Sequence, residues 1–175
     1  MSEPDKFSRF EQAVLPHLDA AYNLARWLIR NEDEAADAVQ DACLRALRFI
    51  GGFRGGDGRV WLLAIVRNAC YSRLKRGKTR DIETEFDDEI HSPEAEGANP
   101  EVLLERSRDS ETLRRALEEL PEEFREIVVM RELEGMNYKE IAEVAGVPIG
   151  TVMSRLARAR KRLQQTLTAP LREES

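Results

Sequence analysis

The chain has 175 residues, with 27 Lys or Arg against 33 Asp or Glu, a formal net charge of −6 and a hydrophobic content of 42%. That length allows one ordinary domain or two small ones, and the apolar content is sufficient for a packed core. No segment reaches the roughly 18 consecutive apolar residues that span a bilayer, and the N-terminus has no apolar signal core, so we expect no membrane insertion and a cytoplasmic protein. Two cysteines cannot form a disulfide framework, and two distant histidines do not predict a metal site.

Apolar residues recur at three- and four-residue spacing in the first part of the chain, which predicts helices. One helix is expected over residues 7–28 and another over about residues 60–76. Between them, Asn31 or Asp33 is expected to cap a helix, since both side chains accept hydrogen bonds from free backbone N–H groups. Three helices of this size predict one small bundle. The apolar stripe of the middle helix is predicted to comprise Ala36, Val39, Cys43, Leu47 and Ile50.

The glycine-rich segment GGFRGGDGR (51–59) separates the last two of these helices, because glycine is costly inside a helix. Residues 54–80 hold eight basic groups and one acid, interleaved with aromatic rings. Basic groups beside aromatic rings suit single-stranded DNA, whose bases leave the stack and pack on the rings. The alternative is that the aromatic side chains fill the core of the bundle, and for Trp61 we favour that alternative.

The helical pattern stops over residues 77–108, where Ser-Pro and Asn-Pro pairs interrupt it. Residues 81–111 carry 2 basic and 12 acidic groups. This composition predicts a flexible acidic linker between two helical domains, and a solvated linker with no binding role is the alternative.

A second helical domain is expected over residues 109–168. Pro121 suits the first turn of a helix, and Gly135 would end that helix by permitting left-handed backbone. The apolar residues predicted to face the core of this first half are Leu113, Ala116, Leu117, Leu120, Phe124, Ile127, Val128, Leu133 and either Met130 or Arg131.

Residues 137–163 follow the helix-turn-helix pattern, in which a short helix ends at Gly146 and a second begins near Pro148. The second helix should turn one face to the core, formed by Ile149, Val152, Leu156, Ala159 and Leu163. Its opposite face carries small polar side chains and arginines, which suit a DNA major groove, although a solvated amphipathic helix is the alternative. The outward residues are Thr151, Ser154, Arg155, Arg158 and Arg162.

Three segments, in this order, resemble the bacterial sigma factors of the extracytoplasmic-function (ECF) group of the sigma-70 family. DEAADAVQDACLRAL (33–47) is similar to their segment that docks on the polymerase, and WLLAIVRN (61–68) is similar to their promoter-melting helix. The segment 117–163 is similar to their C-terminal DNA-reading domain.

The resemblance implies an all-α fold with two small helical domains: an N-terminal bundle (1–76) and a C-terminal helix-turn-helix domain (109–168), joined by the flexible acidic linker (77–108). It also implies a factor that binds core RNA polymerase, at its beta-prime clamp and beta flap, and directs promoter-specific transcription initiation. The first domain would recognise and melt the minus-ten element, and the second would read the minus-thirty-five element. Signal-responsive control by an anti-sigma factor is further implied, with no cofactor and no catalytic residue.

Matched by position, the resemblance assigns three sets of residues. Polymerase docking falls on four residues that share one helix face, Asp37, Gln40, Asp41 and Leu44. Minus-ten DNA binding falls on Phe53, Arg54, Arg59, Trp61, Arg67 and Asn68. Minus-thirty-five DNA binding falls on Thr151, Ser154, Arg155, Arg158 and Arg162.

Three positions depart from the family pattern. Met153 and Ala157 stand where relatives often have an arginine and a bulky side chain, which leaves open the bases that the reading helix recognises. Ser72 stands where the family commonly has Asp, so a polar link inside the N-terminal bundle is not expected.

Two other classes of protein remain alternatives at this point. An ordinary helix-turn-helix repressor or activator, with the N-terminal bundle as its dimerisation module, would bind a palindromic duplex tightly by itself. An enzyme has little support, because the sequence has no phosphate-binding loop, no paired-histidine motif and no evident nucleophile with a base. The acidic run Asp87, Asp88 and Glu89 falls in the predicted linker, where a preorganised site is hard to build.

Overall fold

The computed structural model describes residues 3–83 and 107–168. Within those ranges the regular elements are helices and none is a strand, so the all-α fold class is confirmed. Most of the predicted linker lies outside the described residues. None of the described helices is both long enough and apolar enough to cross a membrane. Among the same residues, no cluster of His, Cys, Asp and Glu is arranged to hold a metal ion.

The described residues form an N-terminal part and a C-terminal part. The N-terminal part contains α1 (Glu3–Val14), α2 (Leu18–Ile29), α3 (Glu32–Phe49) and α4 (Gly58–Glu83), with 3₁₀ turns at Leu15–His17 and Ile50–Gly52. The C-terminal part contains α5 (Ser107–Glu118), α6 (Glu122–Val128) with a π-helical continuation (Val129–Leu133), α7 (Tyr138–Ala145) and α8 (Ile149–Thr168).

The helix predicted over residues 7–28 is in fact two helices, so the prediction of one continuous element was wrong. The 3₁₀ turn between α1 and α2 has Pro16 at its start. Proline has no backbone N–H and its ring collides with the preceding turn, which explains why an α-helix does not continue through this point. Phe7, at the start of the predicted stripe, is 51% exposed rather than in the core.

The buried face of α3 is made of alanines. Ala35, Ala38, Ala42 and Ala46 are fully buried, whereas Ala36, the first residue of the predicted stripe, is exposed. The predicted buried face of α3 was therefore displaced by about one residue. The small alanines let a neighbouring helix approach closely, and the larger side chains that were predicted to be buried lie beside this contact instead. The cap of this helix was predicted correctly: the Asn31 side chain accepts a hydrogen bond from the Glu34 backbone N–H at 2.9 Å.

Helix α4 is the central helix of the N-terminal part and packs against α1, α2 and α3. Its core residues are the fully or almost fully buried Leu62, Leu63, Val66, Ala69 and Cys70. Asn68 is exposed and Trp61 is only half-buried, so neither is a central core residue. The helix also extends to Glu83, beyond the predicted end of the bundle at residue 76.

In the C-terminal part, Leu113, Leu133 and Ile149 were predicted to face the core but are exposed. The case of Leu133 has a local explanation: the Glu134 backbone N–H donates to the Val129 carbonyl at 3.1 Å, a π-helical bond that inserts an extra residue into the turn. The α-helical spacing used for the prediction therefore no longer applies. Pro121 precedes the first turn of α6 as its N-cap rather than lying within it.

The helix-turn-helix itself was predicted correctly. Asn137 and Glu140 form a reciprocal capping box at the start of α7, and Gly146 ends the helix with a φ of 70°. Val152, Leu156 and Ala159 of α8 are buried, as their spacing indicated. These features depend on residues close together in the chain, which is why the sequence revealed them.

The two parts share one continuous apolar core, whereas the sequence predicted two domains joined by a flexible linker and did not specify a contact between them. Helix α6 packs against α2, and α7 packs against α4. Residues 125–130 of α6 and its continuation are all buried, including two charged ones. Helix α6 therefore has neighbours on more than one side, and one of them is the N-terminal part.

A glycine at the start of α4 provides the first testable prediction. A Cβ on Gly58 would lie 2.3 Å from the Ala13 carbonyl oxygen, so α1 and α4 can approach this closely only without a side chain there. We expect Gly58→Ala to lower the free energy of unfolding by about 1–3 kcal/mol, the usual cost of overpacking, measured by urea denaturation. Gly51→Ala is the matched control, because no atom lies within 4 Å of its Cβ position. Equal stability of the two variants would contradict the packing described here.

Candidate nucleic-acid interface

The glycine-rich loop before α4 has a defined conformation. Gly55 and Gly56 have φ values of 90° and 85°, which favour glycine, and the Asp57 carboxylate accepts a hydrogen bond from the Arg59 backbone N–H at 2.9 Å to begin the helix. The Phe53 and Trp61 rings lie against each other with centroids 4.8 Å apart. Arg9 of α1 donates a hydrogen bond to the Phe53 carbonyl. The loop therefore presents a pair of aromatic rings on a backbone tied to α1 and α4.

Arg59, which the resemblance assigns to minus-ten DNA, contacts the C-terminal part instead. Its Nη1 donates to the Glu134 carbonyl at 2.9 Å, and its Nη2 lies 3.6 Å from the Glu140 carboxylate. A cleft at this junction is lined by both parts, with Phe53 and Trp61 on one side and Lys139 on the other. The aromatic pair and the helix-turn-helix thus face each other.

Arg67 joins the two parts through a largely buried ion pair. Its guanidinium donates two hydrogen bonds to the Glu126 carboxylate, at 2.7 and 3.1 Å, and Glu126 is fully buried. Burial raises the pKa of Glu126, and the Arg67 guanidinium offsets this only in part. Burial also works against the charge on Arg67, but the hydrogen bonds and charge of Glu126 outweigh it and raise the Arg67 pKa.

Tyr71 completes the surroundings of this ion pair. The Arg67 guanidinium lies over the Tyr71 ring, 4.3 Å from its centroid, in a cation–π arrangement. The Tyr71 hydroxyl is buried near the same carboxylate without a hydrogen bond of ordinary geometry to any described residue, and burial raises its pKa. An aromatic side chain therefore covers one face of the Arg67 guanidinium, which stays partly exposed.

Further polar contacts join the two parts around this pair. The Arg125 Nε donates to the Trp27 carbonyl at 2.8 Å, and the Asn23 side chain donates to the Glu134 carboxylate at 2.9 Å. Arg30 donates to the Glu118 carbonyl at 3.2 Å. All three contacts end on a carboxylate or a backbone carbonyl, so the junction combines an apolar core with several polar contacts.

The structure thus divides the predicted minus-ten residues into two groups. Arg54 and Asn68 are exposed, and Phe53 and Trp61 are half-buried. Arg59 and Arg67 are committed to contacts with the C-terminal part, which covers one side of the predicted DNA-binding surface of α4.

The predicted reading helix, α8, is more accessible. Ser154 and Arg158 are exposed, whereas Thr151 and Arg155 are half-buried. The Arg162 guanidinium lies over the Phe124 ring, 5.3 Å from its centroid. Met153, one of the departures from the family pattern, is 51% exposed on the same helix. Arg155 is close enough to Glu126 for its charge to favour the ionised carboxylate.

The predicted docking residues on α3 lie together on an exposed face. Asp37 and Gln40 are exposed and Leu44 is 61% exposed, so an apolar side chain projects among polar ones. Asp41 is half-buried because its carboxylate accepts a hydrogen bond from Arg73 of α4 at 2.7 Å. Phe49, at the end of α3, is also highly exposed and was not among the predicted docking residues.

Sequence reasoning missed Glu126 and Arg125, which hold the two parts together. The available signal was the run IVVM (127–130), whose four consecutive apolar residues are too many for a helix with a single buried face. A helix that is apolar all round has neighbours on several sides. That pattern indicates a second contact but does not identify the neighbour.

Both parts of the chain are similar to known proteins. The family model described as "Sigma-70 region 2" matches residues 13–80, and the one described as "Sigma-70, region 4" matches residues 110–163. The ECF RNA polymerase sigma factor SigE of Mycolicibacterium smegmatis is 35% identical over 158 residues, which cover 90% of this chain but only 61% of that relative. The RNA polymerase sigma-H factor of Pseudomonas aeruginosa is 31% identical over 172 residues, covering 94% of this chain and 89% of that protein.

A solved structure has the same fold. The sigma factor RpoE from Bartonella quintana, in complex with the anti-sigma factor NepR, matches with a TM-score of 0.70 at 30% identity, over 91% of this chain and 97% of that one. The chain belongs to the sigma-70 family of RNA polymerase sigma factors, in its ECF group, and the resemblance seen in the sequence is confirmed.

The two cysteines provide a prediction about this region. Burial raises the Cys70 pKa to about 12, while Cys43 on α3 is half-buried and its pKa is also raised by burial. A raised pKa means less thiolate, and at pH 8 only roughly one Cys70 side chain in ten thousand would be ionised. We expect iodoacetamide to alkylate Cys43 slowly and Cys70 only after unfolding in urea, as measured by mass spectrometry. Rapid modification of Cys70 in the native protein would show that it is not buried as described.

Proposed function

We propose that this sigma factor binds core RNA polymerase in the cytoplasm through α3. It recognises the minus-ten element with the glycine-rich loop and α4, and it reads the minus-thirty-five element with α8. The observation that carries the proposal is the exposed polar and basic face of α8. It follows a well-formed helix-turn-helix, in a chain whose N-terminal part has its own exposed docking face. Its role is one of binding and positioning rather than catalysis.

The α3 face has suitable chemistry for docking on a protein. Leu44 is an exposed apolar side chain surrounded by the polar Asp37 and Gln40. An apolar residue that becomes buried supplies affinity, while neighbouring carboxylates favour a basic partner surface and orient the complex. The beta-prime clamp of the polymerase is the proposed partner of this face, and the beta flap is the proposed partner of the C-terminal part.

The minus-ten role rests on the aromatic pair and the exposed amide of Asn68. Phe53 and Trp61 can stack with unpaired bases, and Asn68 can hydrogen-bond to a base edge. Arg54 is exposed and available for a phosphate, but Arg59 and Arg67 can contribute only after they leave Glu140 and Glu126.

The minus-thirty-five role rests on Ser154 and Arg158, which are exposed near the N-terminal half of α8. Arginine can pair with guanine or with phosphate in a major groove. Because Met153 and Ala157 stand where an arginine and a bulky side chain are often found, we propose that Arg158 and Arg155 supply the base and phosphate contacts.

We also propose that an anti-sigma factor controls this chain. The support is the likeness to RpoE, which was solved in complex with NepR, together with the exposed apolar side chains of the C-terminal part. Leu133, Ile149 and Met153 are the exposed apolar residues that such a partner would cover.

A transcription assay tests the proposal. We expect the chain to support promoter-dependent run-off transcription by core RNA polymerase, with start sites mapped across the genome of the source bacterium. Leu44→Asp should reduce polymerase binding by roughly tenfold or more, because it removes an apolar contact and adds a charge at the docking face. Leu15→Asp is the control, since Leu15 is also exposed but lies in the turn between α1 and α2. Tight binding of the free chain to a palindromic duplex, without transcription, would favour an ordinary repressor instead.

The salt dependence of duplex binding tests the role of α8. If Arg158 contacts one phosphate, Arg158→Ala should make the negative slope of log affinity against log salt shallower by about 0.9. Arg115→Ala removes the same charge from α5 and is the control, because Arg115 lies outside the proposed reading face. The measurement is fluorescence anisotropy with polymerase holoenzyme and a minus-thirty-five duplex. An unchanged slope with an altered base preference would make Arg158 a base reader instead.

A further inference from the structure

The glycine-rich loop that carries Phe53 has little packing of its own. Within residues 51–57 the glycines have open space where a Cβ would lie, and every residue except the half-buried Phe53 is exposed. Glycine also loses more conformational freedom on ordering than any other residue. The conformation of the loop therefore depends on contacts with neighbouring elements.

Both backbone polar groups of Phe53 have partners. Its N–H donates to the Ile50 carbonyl at 3.0 Å, and its carbonyl accepts a hydrogen bond from the Arg9 guanidinium of α1. A side chain takes one of a few staggered rotamers relative to its own backbone, so fixing this backbone restricts where the Phe53 ring can lie. The same ring lies against Trp61, with the centroids 4.8 Å apart. Arg9 is thus linked through one carbonyl to the aromatic pair that is proposed to stack with bases.

Helix α1 is itself held firmly at this point. Gly58 at the start of α4 is buried, and a Cβ there would collide with the Ala13 carbonyl, so the backbones of α1 and α4 are in contact. Arg9 and Ala13 are four residues apart and therefore lie on the same face of α1. The guanidinium thus extends from a helix whose position is set by α4 to the loop that precedes α4.

The space between α1 and the tip of the loop is open. A cleft there is lined by Arg9, Gln12 and His17 on one side and by residues 55–58 on the other. A hydrogen bond beside such a cleft has little packing to replace it. Loss of the Arg9 contact would therefore leave the loop free to take other conformations.

Arg9 is also separate from the residues assigned to minus-ten DNA. It is half-buried and lies before residue 13, where the match to "Sigma-70 region 2" begins. We propose that Arg9 is a positioning residue for minus-ten recognition, which holds the Phe53 carbonyl, and through it the Phe53–Trp61 pair, in the arrangement that receives the bases. Arg9 itself does not contact DNA. The proposal rests on the proposed function and adds a residue that sets its specificity from a separate helix.

Trp61 fluorescence tests this role in the free full chain. The chain has two tryptophans, so Trp27→Phe leaves Trp61 as the sole one. In that background Arg9→Ala should raise the acrylamide quenching constant of Trp61 by about half or more, because the Phe53 ring is no longer held against the indole. Arg9→Lys should restore the lower value, since the ammonium group is also a hydrogen-bond donor.

Lys6→Ala is the matched control for the quenching measurement. It removes a positive charge from the same helix, and none of the described hydrogen bonds joins Lys6 to the loop. Helix content by circular dichroism should be the same for all of these proteins. If Arg9→Ala loses helix content, Arg9→Met, which keeps an unbranched apolar stem, takes its place in the same comparison.

Base preference tests the consequence for recognition. The probe is a single-stranded oligonucleotide with the minus-ten sequence of a promoter mapped by the transcription assay, in four versions that differ at its most selective base. In fluorescence anisotropy, holoenzyme with Arg9→Ala should discriminate among the four at least about threefold less than wild type, whereas Lys6→Ala and Arg9→Lys should stay within about twofold of wild type. The slope of log affinity against log salt should be the same for Arg9→Ala and wild type, because a positioning residue contacts no phosphate.

Three results would overturn the proposal. Unchanged Trp61 quenching in Arg9→Ala would show that Arg9 does not hold the aromatic pair, and unchanged base discrimination despite altered quenching would show that the pair does not set specificity. A salt slope made shallower by about 0.7 would instead make Arg9 a phosphate contact on single-stranded DNA. The quenching measurement needs neither polymerase nor DNA, so a failure of the Arg9 contact can be distinguished from a failure of promoter-dependent transcription.

Discussion

A buried carboxylate must have a partner, and in this protein the partner lies on the other part of the chain. Glu126 is fully buried in α6, and both of its oxygens accept hydrogen bonds from Arg67 of α4. Leaving the Glu126 charge buried and unpaired would cost several kcal/mol, typically about 3–5 kcal/mol for a buried pair that loses its other member. The packing of α6 on α2 and of α7 on α4 therefore has to bring these two side chains together.

The chemistry of arginine links this arrangement to function. A guanidinium presents its donors in a planar fork that matches carboxylate and phosphate alike. The guanidinium groups that are proposed to bind phosphates are therefore equally suited to the carboxylates of the C-terminal part. Arg59 and Arg67 bind the C-terminal part in the structure, and the exposed Arg54 and Arg158 show which positions stay accessible at the same time.

Features set by neighbouring residues were predicted well. The Asn31 cap, the turn at Gly146 and the buried face of α8 all follow from residues within one or two helical turns of each other. Predictions failed where a choice depended on a distant neighbour or an irregular turn. The face of α3 was misplaced because alanine carries little hydrophobic signal, and Leu133 was misplaced because a π-helical turn changes the register of its helix.

The sequence by itself determined most of the helices, the helix-turn-helix and the family, because periodicity, caps and motifs are local properties of the chain. Only the tertiary structure decided that the two parts pack together and that the predicted minus-ten residues are divided between accessible and occupied positions. The deciding contact joins Arg67 and Glu126, which are 59 positions apart and on opposite sides of the predicted linker. Periodicity shows that a helix has a second buried face, but it carries no information about which distant charge that face will meet.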